Sequence, residues 1–215
     1  MNPPRPPSPS STQRPGKIVC VGRNYVDHAK EMGNAVPKEP LIFLKPPSSV
    51  IGTGDAIVLP PQSTQVEFEG EIGVTIGRTL RRVTSTEARG AIAGIVAVND
   101  VTARDLQRSD SQWTRAKGFD TFCPTGELVP PPADLSSLTV VTRVNGVERQ
   151  RANAADMVFP IPDVLAYVSQ VMTLEPGDLV LTGTPAGVGK LSPGDEVEVE
   201  IVGHSRVTNP VKVDA

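Results

Sequence analysis

Acidic side chains dominate the residues of this chain that could do chemistry. In Val66-Glu67-Phe68-Glu69-Gly70-Glu71-Ile72-Gly73, three glutamates fall at alternate positions, so an extended strand would carry them on one face. Carboxylates spaced about 7 Å apart repel one another unless water or a cation neutralises them. A solvated sheet face is one reading, as in the alternation of Glu196, Glu198 and Glu200. A hard-cation site is the other, favoured by Gly70, which leaves room for a close backbone approach, and by the apolar residues that follow. Asp100 adds a fourth acid directly after the apolar run 91–98 and Asn99, near a strand end where functional side chains tend to be displayed. An all-carboxylate ligand set selects Mg²⁺ or Mn²⁺ over zinc. Asp100, Arg104 and Gln107 are spaced i, i+4, i+7, which predicts one shared face on a helix over 102–109. The plainer role is capping by Asn99 or Thr102, with Asp100 favouring the helix dipole.

His28 and Glu31 stand three apart on a short predicted helix. A histidine with a carboxylate in reach can activate a water molecule, and it can equally be an exposed pair of little energetic value. Lys45 ends an apolar segment and Lys117 follows Trp113-Thr114-Arg115-Ala116; each is either a snorkelling lysine or a charge facing an anionic substrate. The glycine-rich Thr182-Gly183-Thr184-Pro185-Ala186-Gly187-Val188-Gly189-Lys190 fails as a phosphate loop. Thr184 stands where that motif needs glycine and Leu191 where it needs Ser or Thr. Backbone N–H groups offered to a carboxylate remain open to this loop. Cys123 has no base nearby in sequence and reads as a buried thiol; His204 reads as a turn residue.

The elements that must position these groups are mostly short strands. The β-branched run from Lys17 to Val21 predicts a strand, followed by a helix over 25–32 capped by Asn24 and stopped at Gly33. Strands follow at 41–44, 56–59 and 66–77, and the run 91–98 is either a strand or a buried helix. Asn145-Gly146 predicts a two-residue hairpin turn between 138–144 and 147–149. A helix over 161–172 carries Pro162 in its first turn, and strands resume at 179–181 and 196–202. The sum is one α+β domain over 17–215, dominated by antiparallel strands. Residues 1–16 hold six prolines and no aliphatic side chain, which predicts a flexible tail.

Composition narrows the function. A chain of 215 residues with 38% hydrophobic and 21% charged residues can build a globular core. Its 22 prolines and 19 glycines exclude a helical bundle. A net charge of -3 argues against a nucleic-acid binder. No apolar run approaches the ~18 residues of a membrane helix, and the first residues lack the apolar core of a secretory signal. Two unrelated cysteines build no disulfide framework, so a reduced, cytoplasmic protein is expected.

Taken in order, Gly22-Arg23-Asn24-Tyr25-x-Asp27-His28-Ala29-x-Glu31, Phe43-Leu44-Lys45-Pro46, Glu69-Gly70-Glu71-Ile72-Gly73, Asn99-Asp100-Val101-Thr102-Ala103-Arg104-Asp105, Ala116-Lys117-Gly118-Phe119-Asp120 and Leu181-Thr182-Gly183-Thr184-Pro185 resemble the fumarylacetoacetate hydrolase family. The similarity is closest to its short acylpyruvase-like members and spans Lys17 to Val213. It implies an α+β fold built on a mixed β-sheet roll of the fumarylacetoacetase C-terminal-domain type, with a few short helices, assembled as a homodimer. It implies that Glu69, Glu71 and Asp100 bind Mg²⁺ or Mn²⁺, with Glu67 left out. His28 and Glu31 match the family's water-activating pair on a lid segment. Lys45, Arg104, Gln107, Lys117 and Thr184 match positions that contact substrate or the developing oxyanion. The large amino-terminal domain of eukaryotic fumarylacetoacetases does not precede the fold here, which makes fumarylacetoacetate itself a less expected substrate.

The activity so implied is metal-dependent cleavage of the C–C bond of a 2,4-diketo acid of the acylpyruvate or fumarylpyruvate type. His28, oriented by Glu31, takes a proton from water, which attacks the 4-carbonyl. The pyruvate enolate that leaves is held by the metal as Lewis acid and by Lys117. The same enolate serves oxaloacetate decarboxylation or 2-hydroxyhepta-2,4-diene-1,7-dioate isomerisation in aromatic catabolism. Those are the enzymatic alternatives, and a non-catalytic metal- or small-acid-binding module is the third.

Overall fold

The computed structural model describes residues 14–214. Most of the expected tail, residues 1–13, lies outside the described residues. Two five-stranded sheets form the body. The first runs, in spatial order, Leu41–Lys45, Ile18–Gly22, Leu179–Leu181, Gly70–Ile76 and Ile92–Asn99. The second runs Val147–Asn153, Thr139–Val144, Glu196–Ile201, Ser205–Val213 and Ile57–Leu59. Antiparallel ladders dominate, with parallel pairing of Ile18–Gly22 to Leu179–Leu181 and of Ser205–Val213 to Ile57–Leu59. The α+β roll expected from the sequence is the fold observed.

Alternation explains the layers. Val19 and Val21 join Ile72, Val74, Val140, Val199 and Ile201 in the core between the sheets, against helix Ile161–Val171. Ile18 and Cys20 point the other way, into a smaller cluster with Val96, Val98 and Cys123. The inner strands of the first sheet are therefore buried on both faces and read as continuous apolar runs. Burial pushes the Cys123 thiol up to about 12, so the residue is an inert packing group.

One open reading is settled and two are corrected. The apolar run forms strand Ile92–Asn99, which completes a ladder with Gly70–Ile76. The helix expected from Thr102 begins at Arg104, since Thr102 and Ala103 pair as strand with Glu67 and Val66. Asn24 does not cap helix Val26–Glu31, whose N-cap is Tyr25 with no side-chain bond. Its amide instead donates to the carbonyls of Thr182 at 2.8 Å and Phe159 at 3.0 Å, and its Oδ1 accepts from Phe159 N–H. A buried amide there satisfies loop groups that no sheet reaches. The Asn145-Gly146 turn stands, both residues having positive φ, but its second strand continues to Asn153. No helix among the described residues is long and apolar enough to cross a membrane.

Candidate active site

The site grows from an interruption in the sheet. Strand Val66–Phe68 pairs with Thr102–Ala103, and strand Gly70–Ile76 pairs with Ile92–Asn99. Between these ladders stand Glu69 on one chain segment and Asp100 on the other. Asp100 N–H donates to the Glu69 carbonyl at 2.8 Å, and Asn99 Oδ1 accepts from Glu69 N–H at 2.9 Å. The break thus places two acids face to face, and Glu71 follows two residues on. Carboxylate oxygens of Glu69, Glu71 and Asp100 all lie within 4.8 Å of one another, and all three residues are buried. Asn99 and Thr102 do not cap the following helix, and Asp100 lies outside it. The expected helical face of Asp100, Arg104 and Gln107 is therefore absent, yet all three line one cavity.

Cations neutralise most of the cluster. Lys45 Nζ donates to Asp100 Oδ1 at 2.7 Å, and Lys117 Nζ bridges Glu69 Oε2 and Asp100 Oδ2, each at 2.7 Å. Arg104 Nε bonds Glu67 Oε2 at 2.8 Å while its Nη2 reaches Glu69 Oε1. Glu67 also accepts from Gln65 at 2.6 Å, so its carboxylate is spent on partners outside the triad. Neither lysine snorkels: both are buried, with Lys117 Nζ 5.0 Å from the Phe43 ring centroid. Burial opposes the Lys117 charge, but Asp100 and Glu69 outweigh it and raise its pKa. The pull on Glu69 is reciprocal: burial raises it, and Lys117 then Arg104 bring its carboxyl well below the ordinary range.

Glu71 is the acid left over. Among the described residues its carboxylate accepts one hydrogen bond, from Gly183 N–H at 2.6 Å. Burial, then the charges of Asp100 and Glu69, push its carboxyl well above the ordinary range. Four buried carboxylates thus face the three cations Lys45, Lys117 and Arg104. A hard cation relieves that excess, and three convergent carboxylates are the donors Mg²⁺ or Mn²⁺ takes. The residues fit the group.

His28 reaches the same cavity from the short helix, with its Nδ1 3.3 Å from Glu31 Oε2. Glu31 is held in turn by Gly187 N–H at 3.1 and 3.2 Å. The glycine-rich loop therefore does present its N–H groups to carboxylates, and they belong to the chain itself: Glu71 through Gly183 and Glu31 through Gly187. Gly183 has φ +103, and a Cβ there would lie 2.7 Å from Asn24 Cβ, so only glycine brings the loop this close.

The cavity, about 350 Å³, is also lined by Arg23, Asn34, Phe43, Arg108, Trp113 and Thr184. Arg23 and Arg108 had drawn no role from the sequence. Arg23 adopts φ 60, uncommon for a non-glycine residue, which marked backbone placement but no chemistry. Among the described residues neither arginine meets a carboxylate; the Arg108 guanidinium donates to the neutral Gln65 Oε1 at 3.1 Å.

Comparison with known proteins places this geometry. The model of the fumarylacetoacetate (FAA) hydrolase C-terminal family matches residues 17–212. Human mitochondrial oxaloacetate tautomerase FAHD2A is 48% identical over 200 residues, covering 87% of this chain and 64% of its own. The crystal structure of 5-carboxymethyl-2-hydroxymuconate delta-isomerase from Mycobacterium smegmatis superposes with TM-score 0.87 at 44% identity, covering 94% of this chain and 80% of that one. That of 2-hydroxyhepta-2,4-diene-1,7-dioate isomerase from Mycobacterium marinum gives TM-score 0.86 at 44% identity, covering 94% and 76%. An ordered set of sequence motifs, a mixed β-roll and a buried acidic triad agree with a match over nearly the whole domain: this chain belongs to the fumarylacetoacetate hydrolase family.

Proposed function

We propose that this chain is a divalent-metal-dependent isomerase or tautomerase of 2-oxo dicarboxylic acids, moving a proton through an enolate and leaving the carbon skeleton intact. The observation that carries the reading is the meeting, in one cavity, of an under-neutralised acidic triad, the buried Lys117 and His28, with Lys45 bonded to Asp100 and Glu31 to His28. C–C hydrolysis of a diketo acid draws on the same groups. Proton transfer is preferred because the relatives named by activity above are a tautomerase and two isomerases. It also needs no water molecule placed for attack.

Glu69, Glu71 and Asp100 would hold a divalent cation, which would supply Lewis acidity toward a bound 2-oxo acid. With Nδ1–H donated to Glu31, His28 carries its lone pair on Nε2 and takes the proton next to the carbonyl. Glu31, anchored by Gly187, keeps the ring in that tautomer. Lys117 stands as a fixed positive charge beside the triad, where an enolate oxygen gains most. Returning the proton to the same carbon or to another along a conjugated chain separates tautomerisation from double-bond isomerisation.

The second carboxylate of the substrate class rests on Arg23 and Arg108. With the acids exceeding the cations by one, a bound divalent ion reverses the sign of the inner site, and the two arginines extend positive charge along the cavity wall. Arg23→Ala is expected to raise KM for oxaloacetate by about tenfold, the loss of a charge-assisted hydrogen bond. KM for a 2-oxo monocarboxylate should change little; equal effects on both would remove Arg23 from substrate recognition. A homodimer and a cytoplasmic setting belong to the same proposal. The sheet-edge strand Leu41–Lys45, with Leu44 exposed, supports a dimer, and sedimentation equilibrium reads it as twice the chain mass.

A further inference from the structure

Strand Val147–Asn153 edges the second sheet with Val147, Glu148, Arg149 and Arg151 exposed, yet Gln150 within it is buried. The cause is a bulge: Thr142 pairs with Gln150 and Arg143 with Glu148, so Arg149 is passed over. Such an extra residue re-aims the next side chain, and here it turns Gln150 toward Gly70.

The amide of Gln150 is fully used there. Its Oε1 accepts from Gly70 N–H at 3.0 Å, and its Nε2 donates to Thr184 Oγ1 and to the Pro185 carbonyl, each at 2.8 Å. Thr184 has one hydroxyl hydrogen, and with Gln150 donating to its oxygen, that hydrogen goes to the Gly70 carbonyl at 3.0 Å. Gly70, Gln150 and Thr184 therefore close a ring that fixes both polar groups of the residue between Glu69 and Glu71. Gly70 has no room to be anything else, since a Cβ would lie 1.9 Å from Thr142 Oγ1. The same ring commits the Thr184 hydrogen to the Gly70 carbonyl, while Thr184 lines the cavity.

We infer that Gln150 is a positioning residue of the metal site: through Gly70 and Thr184 it sets the spacing of Glu69 and Glu71, and with it the affinity for a divalent cation. The inference rests on the metal reading of the triad and adds to it a residue 80 positions away in sequence. Groups that orient metal ligands typically contribute about 10–100-fold to affinity.

The test is Mn²⁺ titration of EDTA-stripped protein followed by electron paramagnetic resonance, with thermal unfolding in EDTA measured alongside. Gln150→Met is expected to weaken Mn²⁺ binding by about 10–100-fold. Thr184→Val should weaken it similarly while Thr184→Ser, which keeps the hydroxyl, binds as the native chain does. A merely structural role would lower the melting temperature and leave the Mn²⁺ Kd alone. Native affinity in folded Gln150→Met overturns the inference but leaves the metal site standing. Should Gln150→Met not fold, equal affinity in Thr184→Val and Thr184→Ser overturns it. Absence of Mn²⁺ binding in the native protein overturns the inference and the metal reading together.

Discussion

Stripped of metal, a Glu71→Gln variant is expected to melt higher than the native protein and an Asp100→Ala variant to melt lower, although both lose their response to Mg²⁺. The difference lies in the ion pairs. Asp100 holds Lys45 with one oxygen and Lys117 with the other, all three side chains being buried. Removing it leaves buried charge uncompensated, a loss of about 3–5 kcal/mol, which in a chain of this size lowers the melting temperature by roughly 10 °C or more. Among the described residues Glu71 pairs with no cation and accepts only the Gly183 N–H hydrogen bond, which a glutamine oxygen can still accept. Glutamine removes the like charge and offers its NH₂ to the neighbouring carboxylates, so the metal-free fold gains, at roughly 2–4 °C per kcal/mol. In the native protein, Mg²⁺ at a hundredfold excess over Kd adds about 2.7 kcal/mol; neither variant shows that increment. Calorimetry with EDTA and with Mg²⁺ reads all of these values. A Glu71→Gln protein that melts well below the native one in EDTA would show that the carboxylate is already neutralised by some other group.

His28→Ala is expected to lower kcat by about 10²–10⁴, the usual contribution of a positioned general base, with Mn²⁺ affinity unchanged. His28 bonds Glu31 and lines the cavity but belongs to no ion pair of the triad, so its loss leaves the metal ligands in place. Incorporation of solvent deuterium next to the carbonyl of a 2-oxo acid measures the step directly. Glu31→Gln should fall by less, because Gly187 still holds the side chain through an accepted hydrogen bond. Native exchange rates in His28→Ala would assign the proton transfer to another group.

Legibility in the sequence followed the range of the interactions. The alternation of Glu67, Glu69 and Glu71 and the acid at the end of an apolar run exposed an acidic cluster, because strand geometry fixes where such side chains go; the family resemblance, not the spacing, left Glu67 out of the triad. The helical spacing of Asp100, Arg104 and Gln107 misled: a two-residue ladder with Glu67 and Val66 claims Thr102 and Ala103 before the helix can start. Asn24 had the position of a cap and instead serves carbonyls 135 and 158 residues away. The glycine-rich loop offered N–H donors in plain view, but its partners, Glu71 and Glu31, are 112 and 156 residues distant. Gln150 carried no signal at all. It sits among polar residues of an edge strand, and only the bulge at Arg149 turns it inward.

The central claim is metal-dependent proton transfer at this cavity, and the enol absorbance of freshly dissolved oxaloacetate tests it most directly. Metal-stripped protein should convert enol to keto form no faster than buffer; Mg²⁺ should restore an acceleration that EDTA abolishes and Glu71→Gln lacks. Acetylpyruvate under the same conditions should stay intact. An acceleration insensitive to EDTA, or none with Mg²⁺ bound, would contradict the account, and release of pyruvate and acetate from acetylpyruvate would return the site to C–C bond hydrolysis.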